Sequence, residues 1–524
     1  MKKSRKLAAF VASILAVACM AAPMAVSAQT VTITNASNNG AATHSYTYYK
    51  ILTGTVNADT GAIEGIDWAE GFDSANFLSA INTDLSINVT DAATFANEIK
   101  DESFDSVTMQ KIAALIKKNI GTISGTALDG SINEDGYYLI EDTTSDLKDG
   151  AYSRYILTTI DADSDTPLDI TVKANVPSVE KKVLEDDKEV TGKPTNDPNT
   201  EEKWNDVADY SIGEDVPFKL YGTMPSTIDD YTKYKYVFHD TLASQFDAPA
   251  DSDVIVKIDG NDATGAVVTV NGQNITVTFD DILDGNNITA DSIVTVEYSA
   301  VLNSNAVIGL DGQENEVYLT YSNNPNWTGT GDEKPDDNGE TPHDKVIVFT
   351  YELDTTKIDG TTSKKLSGAK FKLLNSDKTK EATVTDGKFA GWVDIDAGTE
   401  LVSDENGLFK VAGLDDDTYY LKETEAPSGY NLLTDSVEVV IKATTANNQE
   451  WAGAADAALT KLELNGTEQD ADKHGVANLT VENKSGSSLP STGGIGTTIF
   501  YVAGGALVVG AGVLLVSKKR MSNK

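Results

Sequence analysis

The chain has 524 residues, enough for roughly three domains at about 100–200 residues each, and one large core is not expected. Its composition, 40% hydrophobic and 23% charged with 41 Gly and 13 Pro, is that of packed domains and excludes a disordered or collagen-like chain. With 41 Lys and Arg against 81 Asp and Glu the net charge is −40, a surface that repels phosphate backbones and anionic lipids and excludes nucleic-acid binding.

The chain opens on an export signal over residues 1–28. Lys2, Lys3, Arg5 and Lys6 precede an apolar stretch from Leu7 to about Ala22, and Val26-Ser27-Ala28 is a small-residue cleavage site. The only cysteine, Cys19, lies inside this signal. A lipoprotein reading wants a large aliphatic residue three places earlier, where Ala16 stands. The mature chain therefore has no disulfide, although an exported protein could use them freely, and any crosslink needs other chemistry.

Residues 29–172 read as a β domain with α/β decoration. TVTITN and SYTYYKIL alternate as strands do, while Met109, Ile112, Ile116 and Ile120 form one stripe of a helix from Ser106, its N-cap, to a stop at Gly121. Residues 173–345 are nearly all strand: VPSVEKKV, VPFKLYG, YKYVFHDTL, AVVTVNGQNITVTF, SIVTVEYSAVL and NEVYLTYSN, separated by Asn-Gly and Asp-Gly turns, describe a β-sandwich. Asn323 to Asp344 reads as a connector. Residues 346–486 form a second β unit, with VIVFTYELDTTKID, AKFKLL, GLFKVAGL, TYYLKET, SVEVVIK and ANLTVENK; VIVFTYEL is able to close one domain and open the next. One phrase recurs, GYYLIED at 136–142 and TYYLKET at 418–424.

Residues 487–524 carry Leu489-Pro490-Ser491-Thr492-Gly493, an apolar run from Ile495 to Val516, and the basic tail Ser517-Lys518-Lys519-Arg520. About 20 apolar residues in a helix span a hydrocarbon core of about 30 Å, and the tail fixes the inner side. The pentapeptide resembles the LPxTG sorting signal of Gram-positive surface proteins, in which a sortase cleaves between Thr and Gly. The resemblance implies that Thr492 becomes the acyl donor and that Gly493 onward is discarded.

The phrase YYLKETEAPSGYN, from Tyr419, is similar to the E-box of Gram-positive pilins and CnaB-type adhesin domains. In that family a first-strand lysine forms an amide with a last-strand asparagine, promoted by the E-box glutamate. Strand periodicity puts Leu353, Thr355 and Lys357 on one face, Leu479, Val481 and Asn483 on another, and Tyr419, Leu421 and Glu423 on a third. Three polar groups then meet inside an apolar core. Burial disfavours the charge on a lysine and on a carboxylate alike, which leaves a nucleophilic amine and an acid able to polarise the asparagine carbonyl. Packing holds the reactants at effective molarities of about 10⁵ M or more. The products are ammonia and a permanent crosslink.

In the middle domain Val179, Lys181 and Val183 share a face, which favours Lys181 over Lys182 as the inward lysine. Asn315, Val317, Leu319, Tyr321 and Asn323 share another, with Asn323 the preferred partner and Asn315 the alternative. Asp240 looks like the aspartate that serves such pilin domains where an E-box is absent. In the first domain Glu141 has an E-box-like setting and Lys50 lies on an early strand, with no asparagine partner marked. Backbone pilins also place a polymerising lysine, in a YPK-type motif, before the middle domain. Lys173 occupies the equivalent place here, in DITVKANVP, without the Tyr and Pro.

Signals of a conventional enzyme, metal or cofactor are weak. The four histidines, at 44, 239, 343 and 474, lack metal-ligand spacing, and DADSD at 161–165 starts like a calcium loop but has Thr166 where Gly is needed. The chain as a whole resembles the sortase-assembled major pilins of Gram-positive bacteria. The resemblance implies a mainly β protein of tandem immunoglobulin-like (CnaA/CnaB-type) sandwiches behind an α/β-decorated domain, with a C-terminal transmembrane helix. It implies a non-enzymatic shaft subunit of a surface pilus, secreted and anchored to the cell wall. Its partners would be other copies of itself, pilus and housekeeping sortases and peptidoglycan, with minor pilins and a host ligand beyond these. The rival readings are a sortase-anchored adhesin that never polymerises and an anchored glycosidase.

Overall fold

The computed structural model describes residues 27–36, 43–100, 106–145, 147–186, 204–327, 329, 335, 338–445, 451, 453–469, 475–486 and 495–521. The export signal up to residue 26, and the pentapeptide Leu489 to Gly493, lie outside the described residues.

The first domain holds two sheets. Strand β1 (Gln29–Asn35) pairs parallel with the domain's last strand, Leu168–Val172, so both ends of the domain leave it side by side. Strand β2 (Tyr46–Val56) is central to the other sheet, between β3 (Ile63–Trp68) and Gly136–Asp142. Three helices cover it: α1 (Ser74–Leu85), α2 (Ala92–Ile99) and α3 (Ser106–Lys118). The expected stripe on α3 holds, with Ile112 and Ile116 fully buried. Gly121 ends it at φ 65°, where a Cβ would strike the backbone oxygen of Gly71. Helices α1 and α2 were not anticipated, yet each has a cap that sequence could have offered. Asp73 accepts the N–H of Asn76, and Asp91 forms a reciprocal capping box with Thr94. Their apolar residues build an aromatic cluster in which Phe77, wholly buried, meets Trp68, Phe72 and Phe95 with ring centroids 5.2–5.6 Å apart.

The middle domain is a two-sheet sandwich. One sheet runs β4 (Val179–Leu184), β5 (Asp215–Thr223), β6 (Ile293–Leu302) in space; the facing sheet contains β7 (Tyr236–Leu242), β8 (Gln313–Ser322) and β9 (Asp344–Phe349). The hairpin at Asp259-Gly260 has both residues at positive φ, 50° and 79°, which matches the twist of its two strands. Strand β9 pairs with β8 and closes this sandwich, so the division falls at Thr350, a few residues beyond the expected 345.

The last domain begins with β10 (Tyr351–Asp359), which pairs parallel with β13 (Val476–Asn483) and antiparallel with β11 (Leu408–Leu414). The sheet curls over so that β12 (Thr418–Glu425) faces this pair across a core of Leu353, Phe371, Tyr419, Leu421 and Val481. Helix α4 (Ile495–Met521) carries the tail. Its side chains are described only between Val502 and Leu515 and at Lys518, and no described stretch is by itself long and apolar enough to cross a membrane.

Removing the central ring of the first domain tests how independent that domain is. Phe77→Ala should destabilise it by about 3–5 kcal/mol. Scanning calorimetry of the mature chain should show one transition moved down and the transition of the last domain unmoved.

Candidate functional site

Two buried clusters of lysine, acid and asparagine occupy the last two domains. In the last domain Leu353, Thr355 and Lys357 all point inward and are completely buried. The parallel register sets Lys357 opposite Val481 and Asp359 opposite Asn483, so the lysine and the asparagine are diagonal neighbours on one face. Glu423 comes from the facing layer. Its Oε1 is 3.8 Å from Lys357 Nζ, and its Oε2 accepts from Asn483 Nδ2 at 3.0 Å and from the N–H of Leu433 at 2.8 Å. Lys357 Nζ donates to the carbonyl of Val481 at 3.2 Å. Burial pushes the Lys357 amine down from 10.5 to about 8, with Glu423 opposing. Glu423 Oε1 and Asn483 Oδ1 are buried and have no hydrogen-bond partner.

The middle domain forms a tighter cluster. Lys181 Nζ lies 2.6 Å from Asp240 Oδ2 and 2.9 Å from the hydroxyl of Tyr298, every side chain being buried. That hydroxyl donates to Asp240 at 2.7 Å and accepts from Asn315 Nδ2 at 3.0 Å. Burial lowers the lysine and raises the aspartate, which moves both groups of the pair toward their neutral forms.

Here the preferred asparagine is corrected. Asp240 stands opposite Val317, and Asn323, six residues further along the strand, is about 20 Å from that level. Asn323 is inward and buried as expected, but its side-chain Nδ2 donates to the carbonyl of Leu147 in the first domain at 2.7 Å, and its backbone carbonyl accepts from the N–H of Tyr152 at 2.8 Å. With Asn326, which bonds Ser153 and Tyr155, it clasps the first domain to the middle one. Asn315, the alternative, is the one that joins the cluster.

Lys182 is also buried, on the opposite side of its strand, and pairs with Asp206, whose other oxygen accepts the N–H of Trp451 from the last domain at 2.7 Å. Sequence periodicity favoured Lys181 as the inward lysine of the pair and could not reveal the neighbour that covers Lys182. In the first domain Glu141 is taken by Lys117 of α3 at 2.6 Å and by the hydroxyl of Tyr49, while Lys50 pairs with Glu134. Lys173 is exposed just past Leu168–Val172, between buried Val172 and Ala174. Its flanking backbone is held on both sides: the carbonyl of Val172 accepts the N–H of Ala36 at 2.9 Å, and the N–H of Ala174 donates to the side chain of Asn35 at 3.1 Å.

Asp209, Asp415 and Asp416 bring carboxylate oxygens within 4.8 Å of one another at the junction of the last two domains. Tyr351 donates to Asp209, and burial together with Asp209 holds the Asp415 carboxyl well above the usual range. A protonated Asp415 relieves the like-charge repulsion there.

Comparison with known proteins places two segments in described families. Residues 351–453 match the prealbumin-like fold domain of the SpaA type, and residues 481–523 match the LPXTG cell wall anchor motif. The chain is 25% identical over 406 residues to the trypsin-resistant surface T6 protein of Streptococcus pyogenes serotype M6, covering 66% of this chain and 70% of that protein. The solved T6 backbone pilin, a modular three-domain structure, superposes with a TM-score of 0.53 at 18% identity over 88% of this chain and 98% of the pilin, a likeness of fold. The full-length major pilin SpaD of Corynebacterium diphtheriae aligns at TM-score 0.45 and 16% identity, over 88% of this chain and 98% of that one.

The depressed lysine gives a pH test. In Asn483→Ala, where no amide can form, Lys357 is charged below about pH 8 when folded but up to 10.5 when unfolded. The unfolded chain binds more protons in that window, so the folded state gains stability as pH rises through it. Denaturant titrations should find Asn483→Ala less stable than Asn483→Ala/Lys357→Met below pH 8, with the gap closing toward pH 10.5. A pH-independent gap would mean that the lysine is not desolvated.

Proposed function

We infer that the chain is a structural shaft subunit of a cell-surface pilus, exported and fixed to the wall of a Gram-positive bacterium through its carboxy-terminal sorting signal. The observation that carries this reading is the repeated burial of lysine, acid and asparagine together in two successive β domains ahead of an LPXTG anchor. Catalysis of turnover is not what such clusters are built for; each is consumed by a single reaction within its own chain. The subunit spans a first domain at 29–172, a middle sandwich from 173 to about 349 and a last domain from 351 to about 486.

In the last domain the neutral Lys357 amine attacks Cγ of Asn483. Glu423 as an acid polarises the amide oxygen and returns a proton to the departing nitrogen, so an amide forms and ammonia leaves. Lys181 and Asn315 react in the same way beside Asp240. The loop closed by Lys357 and Asn483 exceeds 100 residues. In the loop-entropy account such a link stabilises by roughly 4–5 kcal/mol. Each bond should reduce the intact mass by about 17 Da, the mass of ammonia. Glu423→Ala should restore one such loss, and a wild-type chain at full sequence mass would refute both crosslinks.

Polymerisation joins Thr492 of one subunit to Lys173 of the next, through an acyl-enzyme on a pilus sortase, with the housekeeping sortase joining the finished shaft to peptidoglycan. The acyl-enzyme needs an accessible amine, and Lys173 is exposed on a pinned backbone while Lys181 and Lys182 are buried. Lys173→Ala should leave fold and internal bonds intact, abolish the ladder of SDS-resistant multimers and still allow monomer on the wall. A Thr492 junction found at another lysine by tandem mass spectrometry would overturn the assignment, and wild-type chains that remain monomeric would favour a singly anchored adhesin.

A further inference from the structure

The hydroxyl of Tyr298 is bonded to every polar group of the middle-domain cluster. It lies 2.9 Å from the lysine nitrogen, 2.7 Å from Asp240 and 3.0 Å from the asparagine nitrogen. Lys181 and Tyr298 belong to one sheet, two strands apart across β5, and Asp240 and Asn315 to the other. The tyrosine is the piece that bridges the two layers. Its ring is buried in the inward row Val294, Val296, Tyr298, Ala300, Leu302 and packs on Phe218 at 5.5 Å, which in turn meets Phe246. The hydroxyl is therefore held in place by aromatic packing and does not depend on the polar groups it touches.

We propose that Tyr298 is a catalytic residue of the middle-domain crosslink, its hydroxyl passing a proton from the attacking nitrogen of Lys181 to the departing nitrogen of Asn315. The proposal rests on the reading that these two residues react. Two protons must leave the lysine nitrogen. The first goes to Asp240 along their 2.6 Å contact and yields an amine and a carboxylic acid. The amine then bonds to Cγ of Asn315, and its nitrogen must shed a second proton while Nδ2 must gain one before the Cγ–Nδ2 bond breaks. Tyr298 contacts both nitrogens. Its oxygen takes the proton from the new amide nitrogen as its own proton passes to Nδ2, and ammonia departs with the phenol neutral before and after. Burial and Asp240 keep the phenol well above its ordinary range, so it retains the proton it has to give. Asp240 Oδ1 and Asn315 Oδ1 are both buried without a hydrogen-bond partner. Once the acid proton moves from Oδ2 to Oδ1 of the same carboxyl group, Asp240 is a donor able to polarise the carbonyl under attack.

The last domain is a control within the same chain. The ring near Lys357 is Phe371, with the amine 5.8 Å from its centroid, and it has no hydroxyl to relay a proton. Tyr298→Phe keeps the ring and removes only the relay. In the mature chain, residues 29–492, a short pulse of expression followed by a chase and peptide mapping should find the joined Lys181–Asn315 peptides formed about 10²-fold more slowly in Tyr298→Phe. The Lys357–Asn483 peptides should form at the wild-type rate. Equal rates of the middle-domain bond in the two proteins would overturn the proposal. So would a melting temperature of Tyr298→Phe chains, isolated before their bond has formed, well below that of Asn315→Ala, since neither then holds the bond and a further loss would assign the effect to packing. If wild-type chains themselves lack the Lys181–Asn315 peptides, the crosslink reading fails and the relay with it, a result distinct from equal rates.

Discussion

A charged lysine cannot remain cheaply inside an apolar sandwich, and among the described residues Lys181 and Lys357 are each buried there beside an acid and an asparagine. Taking an ammonium or a carboxylate out of water costs several kcal/mol even after pairing. In the last domain the cost is reduced by lowering the amine to about 8, and in the middle domain by bringing amine and acid together at 2.6 Å and toward neutrality. A neutral amine held against an amide is a reactant. The same desolvation that strains the fold supplies the chemistry that relieves it, because the proposed product is an uncharged amide that needs no counter-charge.

The junctions place a second demand on the structure, since a shaft transmits load only if its domains do not hinge freely. Asn323 and Asn326 bond backbone groups at 147 and 152–155, and Arg154 pairs with Asp230 at 3.0 Å. Between the middle and last domains Asp206 holds Trp451, Ile212 bonds Gly413, and β9 runs into β10 with one residue between them. These contacts are polar and range from half-buried, at Arg154 and Asn326, to buried, at Asn323 and Asp206. They hold orientation more than they add stability, because each group would bond equally well to water in a separated domain.

The first domain has the phrase of the last without its chemistry. Glu141 faces a lysine from a helix, partly open to solvent, where burial alone would lower the Lys117 amine but its bonds to Glu141 and Tyr49 hold it above its usual range. Three helices inserted between its strands bring Lys117 there, which makes the recurring motif a half-exposed ion pair in one domain and part of the buried cluster of Lys357 and Asn483, the proposed crosslink, in the other.

The sequence by itself carried the sorting signal, the β character of the last two domains with many of their longer strands, and the inward faces of Lys357, Asn483, Glu423 and Lys181, because these depend on local pattern and on a side-chain period of two. Only the tertiary structure decided which inward asparagine meets Lys181, that Lys182 is covered, that Tyr298 bridges the cluster, and where Thr350 divides two domains. Alternation fixes the face on which a residue lies. It leaves open the height at which that face meets the opposite layer, and at about 3.3 Å per residue Asn315 and Asn323 share a face yet belong to different neighbourhoods.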